Sequence, residues 1–294
     1  MFGILFPFTT AGQPAFIDDL RCMPVLIQIP LTNGTSSNYG TGVYLSESNH
    51  LFLVTAAHCI FNPSSTNALE LINSNAFLSS LARETNVTAR AVLFLDLQKL
   101  AQNGKIKRHQ SHDVAVIDLG AYASTNDSSR LSVALNLGAT TSTTSSFPTP
   151  WDAQELCKTF ANVSVGSDSY VLGYPVNLLK ALPNGQHPEI DFTSPLVRKG
   201  IISQKNNFTQ KLIIDSAVFG GNSGGPVLIV EHPNLGQLRF SMVGIIIQYI
   251  PAEASVELRT STSPTASIIV NSGYGVAEPV DYALELIQQF DLHK

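Results

Sequence analysis

Three short segments of this chain carry side chains whose types and settings suit nucleophilic chemistry. Gly220-Gly221-Asn222-Ser223-Gly224-Gly225-Pro226 presents a serine among glycines. A serine hydroxyl at its normal pKa is a poor nucleophile; it needs an adjacent base and a place for developing negative charge. Flanking glycines let the backbone turn tightly, aim successive N–H groups inward and admit a closely approaching chain. The same residues also read as an ordinary turn between strands. In Leu53-Val54-Thr55-Ala56-Ala57-His58-Cys59 an apolar run delivers a histidine beside small residues that leave room for its ring. Histidine suits a general base because its pKa lies near neutrality, although a lone histidine after a strand is more often structural. The third segment, His112-Asp113-Val114-Ala115-Val116-Ile117-Asp118-Leu119, sets Asp113 ahead of an apolar run. A buried carboxylate there can fix an imidazole tautomer and stabilise the imidazolium, or simply satisfy loop amides. Asp118 is the rival acid, mid-strand and on the face opposite Ile117.

The elements that must position these groups read as short strands. Met23–Leu31, Gly40–Leu45, Leu51–Thr55, Leu69–Leu78, Val87–Leu95 and Val114–Leu119 are strand candidates, with Ala91–Gln102 open to a helical reading through its leucine spacing. Ala139–Pro150 is almost devoid of core-forming side chains and reads as a linker. Beyond it come Ser169–Gly173, Leu196–Ser203, Lys211–Asp215, Pro226–Val230, Phe240–Ile247 and Gly273–Val276. A closing helix over Val280–Phe290 follows, opened by Pro279. Strands on both sides of a linker imply two β-barrels or sandwiches. The organisation expected is an N-terminal barrel over 1–138 carrying His58 and Asp113, a connecting loop over 139–168, and a C-terminal barrel over 169–294 carrying Ser223.

Composition agrees with a protein built mainly of strands and narrows its partners. Of 294 residues, 44% are hydrophobic and only 13% charged, so the chain is neither disordered nor fibrous and its polar surface rests on uncharged groups. A net charge of −5 offers no electrostatic footprint for nucleic acid. No apolar run reaches the ~18 residues of a membrane span. Met1–Phe8 is apolar but short, with no basic residue before Arg21, and makes a poor secretory signal. Three cysteines cannot all pair. A cytoplasmic location is the expectation. His109 and His112 stand three apart, yet no Cys or carboxylate cluster completes a metal site, and neither metal nor organic cofactor is expected.

The order His58, Asp113, Ser223 matches the trypsin-like order and differs from those of subtilisin and the α/β-hydrolases. Together with the segments Thr55-Ala56-Ala57-His58-Cys59, Asp113-Val114-Ala115-Val116-Ile117 and Gly221-Asn222-Ser223-Gly224-Gly225-Pro226, this order makes the chain resemble the trypsin-like (chymotrypsin-fold) serine endopeptidases. It looks most like the HtrA/Deg-type bacterial branch, through Leu172-Gly173-Tyr174-Pro175, Lys199-Gly200-Ile201-Ile202-Ser203, Asp215, and Gly273-Tyr274-Gly275-Val276-Ala277 before its helix. The resemblance implies an all-β fold of two six-stranded antiparallel β-barrels with a C-terminal helix. The PDZ modules that follow the protease domain in many HtrA proteins have no room before Lys294, so control by one is not expected.

The resemblance also implies roles. Ser223 would attack the scissile carbonyl, His58 would take its proton and Asp113 would orient His58. The N–H groups of Gly221 and Ser223 would form the oxyanion hole. Asn222 stands where zymogen-activated relatives carry an aspartate that pairs with a newly cut N-terminus, so activation by cleavage is not expected. The pocket-base position holds Ala217, without a carboxylate for Lys or Arg, which implies a small or medium apolar residue before the cut. The strand Gly244–Gln248 would pair with the substrate backbone, with Ile247 and Gln248 lining the pocket. Cys59 is bridged in many secreted relatives; no cysteine stands near Tyr39–Tyr44, so a free buried thiol is expected. The partner is a protein or peptide substrate. The alternative is a catalytically silent binding or regulatory protein on the same fold.

Overall fold

The structure is a computed structural model describing residues 20–31, 37–65, 67, 69–81, 90–123, 132–133, 140–142, 150–176, 190–191, 194–232, 238–256 and 266–290. Met1–Phe8 and most of Ala139–Pro150 lie outside the described residues.

Six long strands build the first half: β1 (Pro24–Pro30), β2 (Ser37–Glu47), β3 (His50–Thr55), β4 (Asn75–Leu81), β5 (Arg90–Asp96) and β7 (Ala115–Ala123). Four short strands border them: β6 (Ile106–Arg108), β8 (Ser132–Val133), β9 (Thr140–Ser142) and β10 (Trp151–Asp152). The result is a ten-stranded sheet following the path β6-β7-β3-β2-β1-β4-β5-β9, with β8 on β7 and β10 on β2. In the second half, β11 (Asp168–Gly173), β12 (Leu196–Asn206), β13 (Lys211–Asp215), β14 (Pro226–Glu231), β15 (Arg239–Val256) and β16 (Ala266–Pro279) close into a six-stranded barrel. The helix Asp281–Gln288 follows directly. The all-β class with a terminal helix is therefore as the sequence reads.

Side-chain alternation explains how the layers meet. On β1, Val25, Ile27 and Ile29 are buried in the first core, while Gln28 stands between them on the more open face. β3 and β7 lack that alternation because both of their faces are covered. Leu51, Leu53, Ala115 and Ile117 point into the first core. Phe52, Val54, Val114 and Val116 point the other way, onto Leu228, Met242 and Ile245 of the barrel and Ala283, Leu286, Ile287 and Phe290 of the closing region. The barrel interior is filled separately by Val171, Ile202, Leu212, Ile214, Val227, Val243 and Ile246. Two sealed cores and an apolar seam thus fix the halves against each other, and the loops carrying His58, Asp113 and Ser223 stand at that seam.

Candidate active site

His58 sits in a tight 3-10 turn, Ala57–Cys59, immediately after β3. The turn is tied to the loop before β7 by a hydrogen bond from the Ala57 N–H to the Asp113 carbonyl, 3.2 Å. Asp113 then grips the histidine twice. Its Oδ1 accepts the His58 backbone N–H at 2.9 Å, and its Oδ2 lies 2.5 Å from His58 Nδ1. This leaves Nε2 as the ring nitrogen available for proton transfer. The side chains remain 34% and 30% exposed, so the pair is open on one side. Burial opposes charge on the imidazole, but the hydrogen bond and charge of Asp113, with a contribution from neighbouring Cys59, outweigh it and hold the His58 pKa above its ordinary value. Burial likewise pushes Asp113 up, yet His58 and, further off, Arg108 hold its carboxyl below the usual range.

The rival acid is engaged elsewhere. Asp118 is buried, 3.2 Å from His50 Nδ1 and 2.6 Å from Lys105 Nζ. His109 and His112 are also used structurally: His109 faces Glu285 at 3.4 Å, and His112 Nδ1 lies 3.0 Å from Glu278 while its ring stacks on Tyr282. No metal-binding cluster occurs among the described residues.

Ser223 rides on a loop clamped from both halves. The Thr41 N–H donates to the Ser223 carbonyl at 2.7 Å, and Thr41 Oγ1 donates to the Gly221 carbonyl at 2.7 Å. The buried Cys59 thiol also reaches the Ser223 carbonyl, at 3.4 Å. From β15, the Ile246 carbonyl accepts the Gly224 N–H at 2.6 Å. Gly221 has a φ of +99°, and a β-carbon there would run into the Tyr174 carbonyl oxygen, so only glycine fits. Among the described residues, neither the Gly221 nor the Ser223 N–H has a hydrogen-bond acceptor. Asn222 is buried and accepts the Phe219 N–H at 3.1 Å, an internal partner that pins the turn. The Ser223 hydroxyl is turned toward the Ile247 carbonyl, at 3.3 Å, and not to His58.

The structure therefore joins His58 to Asp113 and sets Ser223 beside Ile247, with Gln248 exposed on the same strand. Ala217 lies just before the serine loop, and the Arg198 guanidinium from β12 donates to its carbonyl while lying over the Phe219 ring at 4.5 Å. Thr41, Ile246, Arg198 and Glu278 were not singled out by sequence. Glu278 alone left a signal, a carboxylate inside the otherwise apolar stretch Gly275–Val280.

The trypsin-like peptidase domain family matches residues 40–232, more than half of the chain and inclusive of all three segments. The chain belongs to the trypsin-like peptidase family. Among solved structures, the serine endoprotease from Yersinia pestis is 16% identical to this peptidase-family chain, covering 94% of it and 66% of that protease, with a TM-score of 0.46. The HtrA-type protease AlgW, with a tripeptide, is 15% identical, covering 95% of this chain and 64% of AlgW, with a TM-score of 0.47. This member of the family thus spans just under two thirds of the length of those two proteases. No curated protein sequence matches it significantly. Cys22, Cys59 and Cys157 form no disulfide, and no helix among the described residues is long and apolar enough to cross a membrane.

Proposed function

We propose that the chain is a serine endopeptidase that cleaves peptide bonds through an acyl-enzyme formed on Ser223. The observation that carries this reading is the double grip of Asp113 on His58, which occupies Nδ1 and leaves Nε2 as the nitrogen for proton transfer. In the first step the Ser223 hydroxyl leaves the Ile247 carbonyl and turns to His58, which takes its proton as Ser223 Oγ bonds to the scissile carbonyl carbon. Negative charge develops on the carbonyl oxygen, which the N–H groups of Gly221 and Ser223 receive. His58 returns the proton to the leaving amine. Water then repeats the sequence on the ester, releasing the acid and restoring Ser223.

Two features bear on selectivity. Ala217 brings no carboxylate to the base of the pocket, and Arg198 places a positive charge beside its carbonyl. A Lys or Arg side chain there would meet repulsion with no compensating partner, so a small or medium apolar residue is favoured before the cut. The Ile247–Gln248 stretch offers a strand edge for the substrate backbone. Cleavage of a peptide library by the parent protein, with Ser223→Ala as control, tests this. Cuts after small or medium apolar residues that vanish in the variant are expected; cuts after Lys or Arg would refute the pocket reading.

One observation favours a second reading. The Ser223 hydroxyl rests on Ile247 and not on His58, as it would in a catalytically silent regulatory protein on this fold. Catalytic hydrogen bonds are often loose before substrate binds, however, so the peptidase reading keeps precedence. Library cleavage separates the two.

A further inference from the structure

We propose that Glu278 is a positioning residue that sets Asp113, and through it His58, against the half that carries Ser223. The inference rests on the peptidase reading above. Glu278 lies on β16 in the second half and is 1% exposed, an unusual place for a carboxylate unless it is fully partnered. Its Oε1 accepts the Asp113 backbone N–H at 3.3 Å and lies 3.2 Å from Lys211 Nζ; its Oε2 lies 3.0 Å from His112 Nδ1. The His112 ring in turn stacks on Tyr282 of the closing helix, with centroids 3.4 Å apart. The loop delivering Asp113 is therefore anchored to the second half at two consecutive residues, through a single carboxylate.

That anchor is the counterpart of Thr41. Thr41, from the first half, fixes the serine loop at Gly221 and Ser223; Glu278, from the second half, fixes the acid loop at His112 and Asp113. β16 also pairs with β15, whose Ile246 and Ile247 touch the serine loop, so one strand pair references both reacting groups. Because a displacement of about 1 Å in a catalytic geometry can cost on the order of a hundredfold in rate, the length of the Glu278 side chain matters more here than its charge.

Two conservative variants of the full-length protein separate position from charge. Glu278→Asp keeps the charge facing Lys211 and His112 but draws the acceptor back from the Asp113 N–H by one methylene. Glu278→Gln keeps an oxygen at full reach, and its amide N–H group can donate to the other tautomer of His112. The expectation is that Glu278→Asp loses about tenfold or more in kcat while KM moves less than about threefold, and that Glu278→Gln keeps most of the parent kcat. The acid limb of kcat/KM should also move to lower pH in the Asp variant, as Asp113 loosens its hold on His58. Lys211, His109, His112, Tyr282, Glu285, Arg108 and Cys59 are titratable groups around Glu278, Asp113 and His58, and all are unchanged. The inference is overturned if both variants behave as the parent, if the Gln variant loses as much as the Asp variant, or if kcat falls with the limb unmoved. A parent protein inert to both peptides and a fluorophosphonate probe would instead overturn the peptidase reading itself.

Discussion

At the scale of single residues, the chemistry turns on where N–H groups and one hydroxyl are aimed. Gly221 combines a positive φ with a close approach to the Tyr174 carbonyl. A side chain there forces the turn to shift and spoils the alignment of both proposed oxyanion donors. Gly221→Ala is expected to lower kcat by on the order of 10²–10³ with little change in KM, the size of losing one such donor. Steady-state kinetics on a single peptide checks it. On the peptidase reading, His58, Asp113 and Ser223 stand out in the sequence because each sits in a short segment whose residue types suit the role proposed for it. Thr41 and Glu278 do not: their partners lie 180 and 165 residues away, and the one local sign, a carboxylate in the apolar stretch Gly275–Val280, does not name them.

Among the elements, the closing helix shows how packing serves the site. Ala283, Leu286 and Ile287 bury one face of Asp281–Gln288 against Phe52, Val54 and Val116, the backs of the strands that deliver His58 and Asp113. Leu286 is 2% exposed, so Leu286→Ala should destabilise the fold by about 2–5 kcal/mol through lost contacts and a cavity. Denaturant titration measures this, and a change below about 1 kcal/mol would mean that the helix is not part of the seam. Periodicity located most strands, but their limits had other causes. A strand read from Leu69 begins only at Asn75, because Asn67 and Asn73 side chains capture the Leu69 and Asn75 N–H groups at 3.1 Å and hold turns there. The stretch Ala91–Gln102 is strand and then helix, divided at Asp96, whose carboxylate caps the Lys99 N–H at 2.9 Å. β15 and β16 run well past the strands expected as Phe240–Ile247 and Gly273–Val276, because the outer part of this ribbon exposes residues such as Glu253 and Ser267 and so lacks the alternation that marks a buried strand.

For the whole molecule, the coupling of His58 to Asp113 sets how it responds to pH. As the proposed base, His58 works only when neutral, and Asp113 holds it protonated beyond the usual histidine range. kcat/KM should therefore rise with pH along a limb lying above ~6.5, and Asp113→Asn should move that limb down while lowering kcat by about 10⁴. Stability follows the same shifts with opposite signs. The depressed Asp113 contributes stability above its unfolded pKa near ~3.9, lost as pH falls through the folded value; the raised His58 contributes fully below ~6.5, lost as pH rises through its folded value. The gap in melting temperature between the parent and Asp113→Asn should be widest between those limits and narrow on both sides.

The kinetic expectations presuppose that Ser223 is the nucleophile. Intact mass after treatment with a fluorophosphonate, followed by peptide mapping, tests that most directly. One added phosphonyl group is expected on the parent protein, mapped to Ser223, and none on Ser223→Ala. Equal labelling of the variant, or an adduct mapped to another residue, would contradict it.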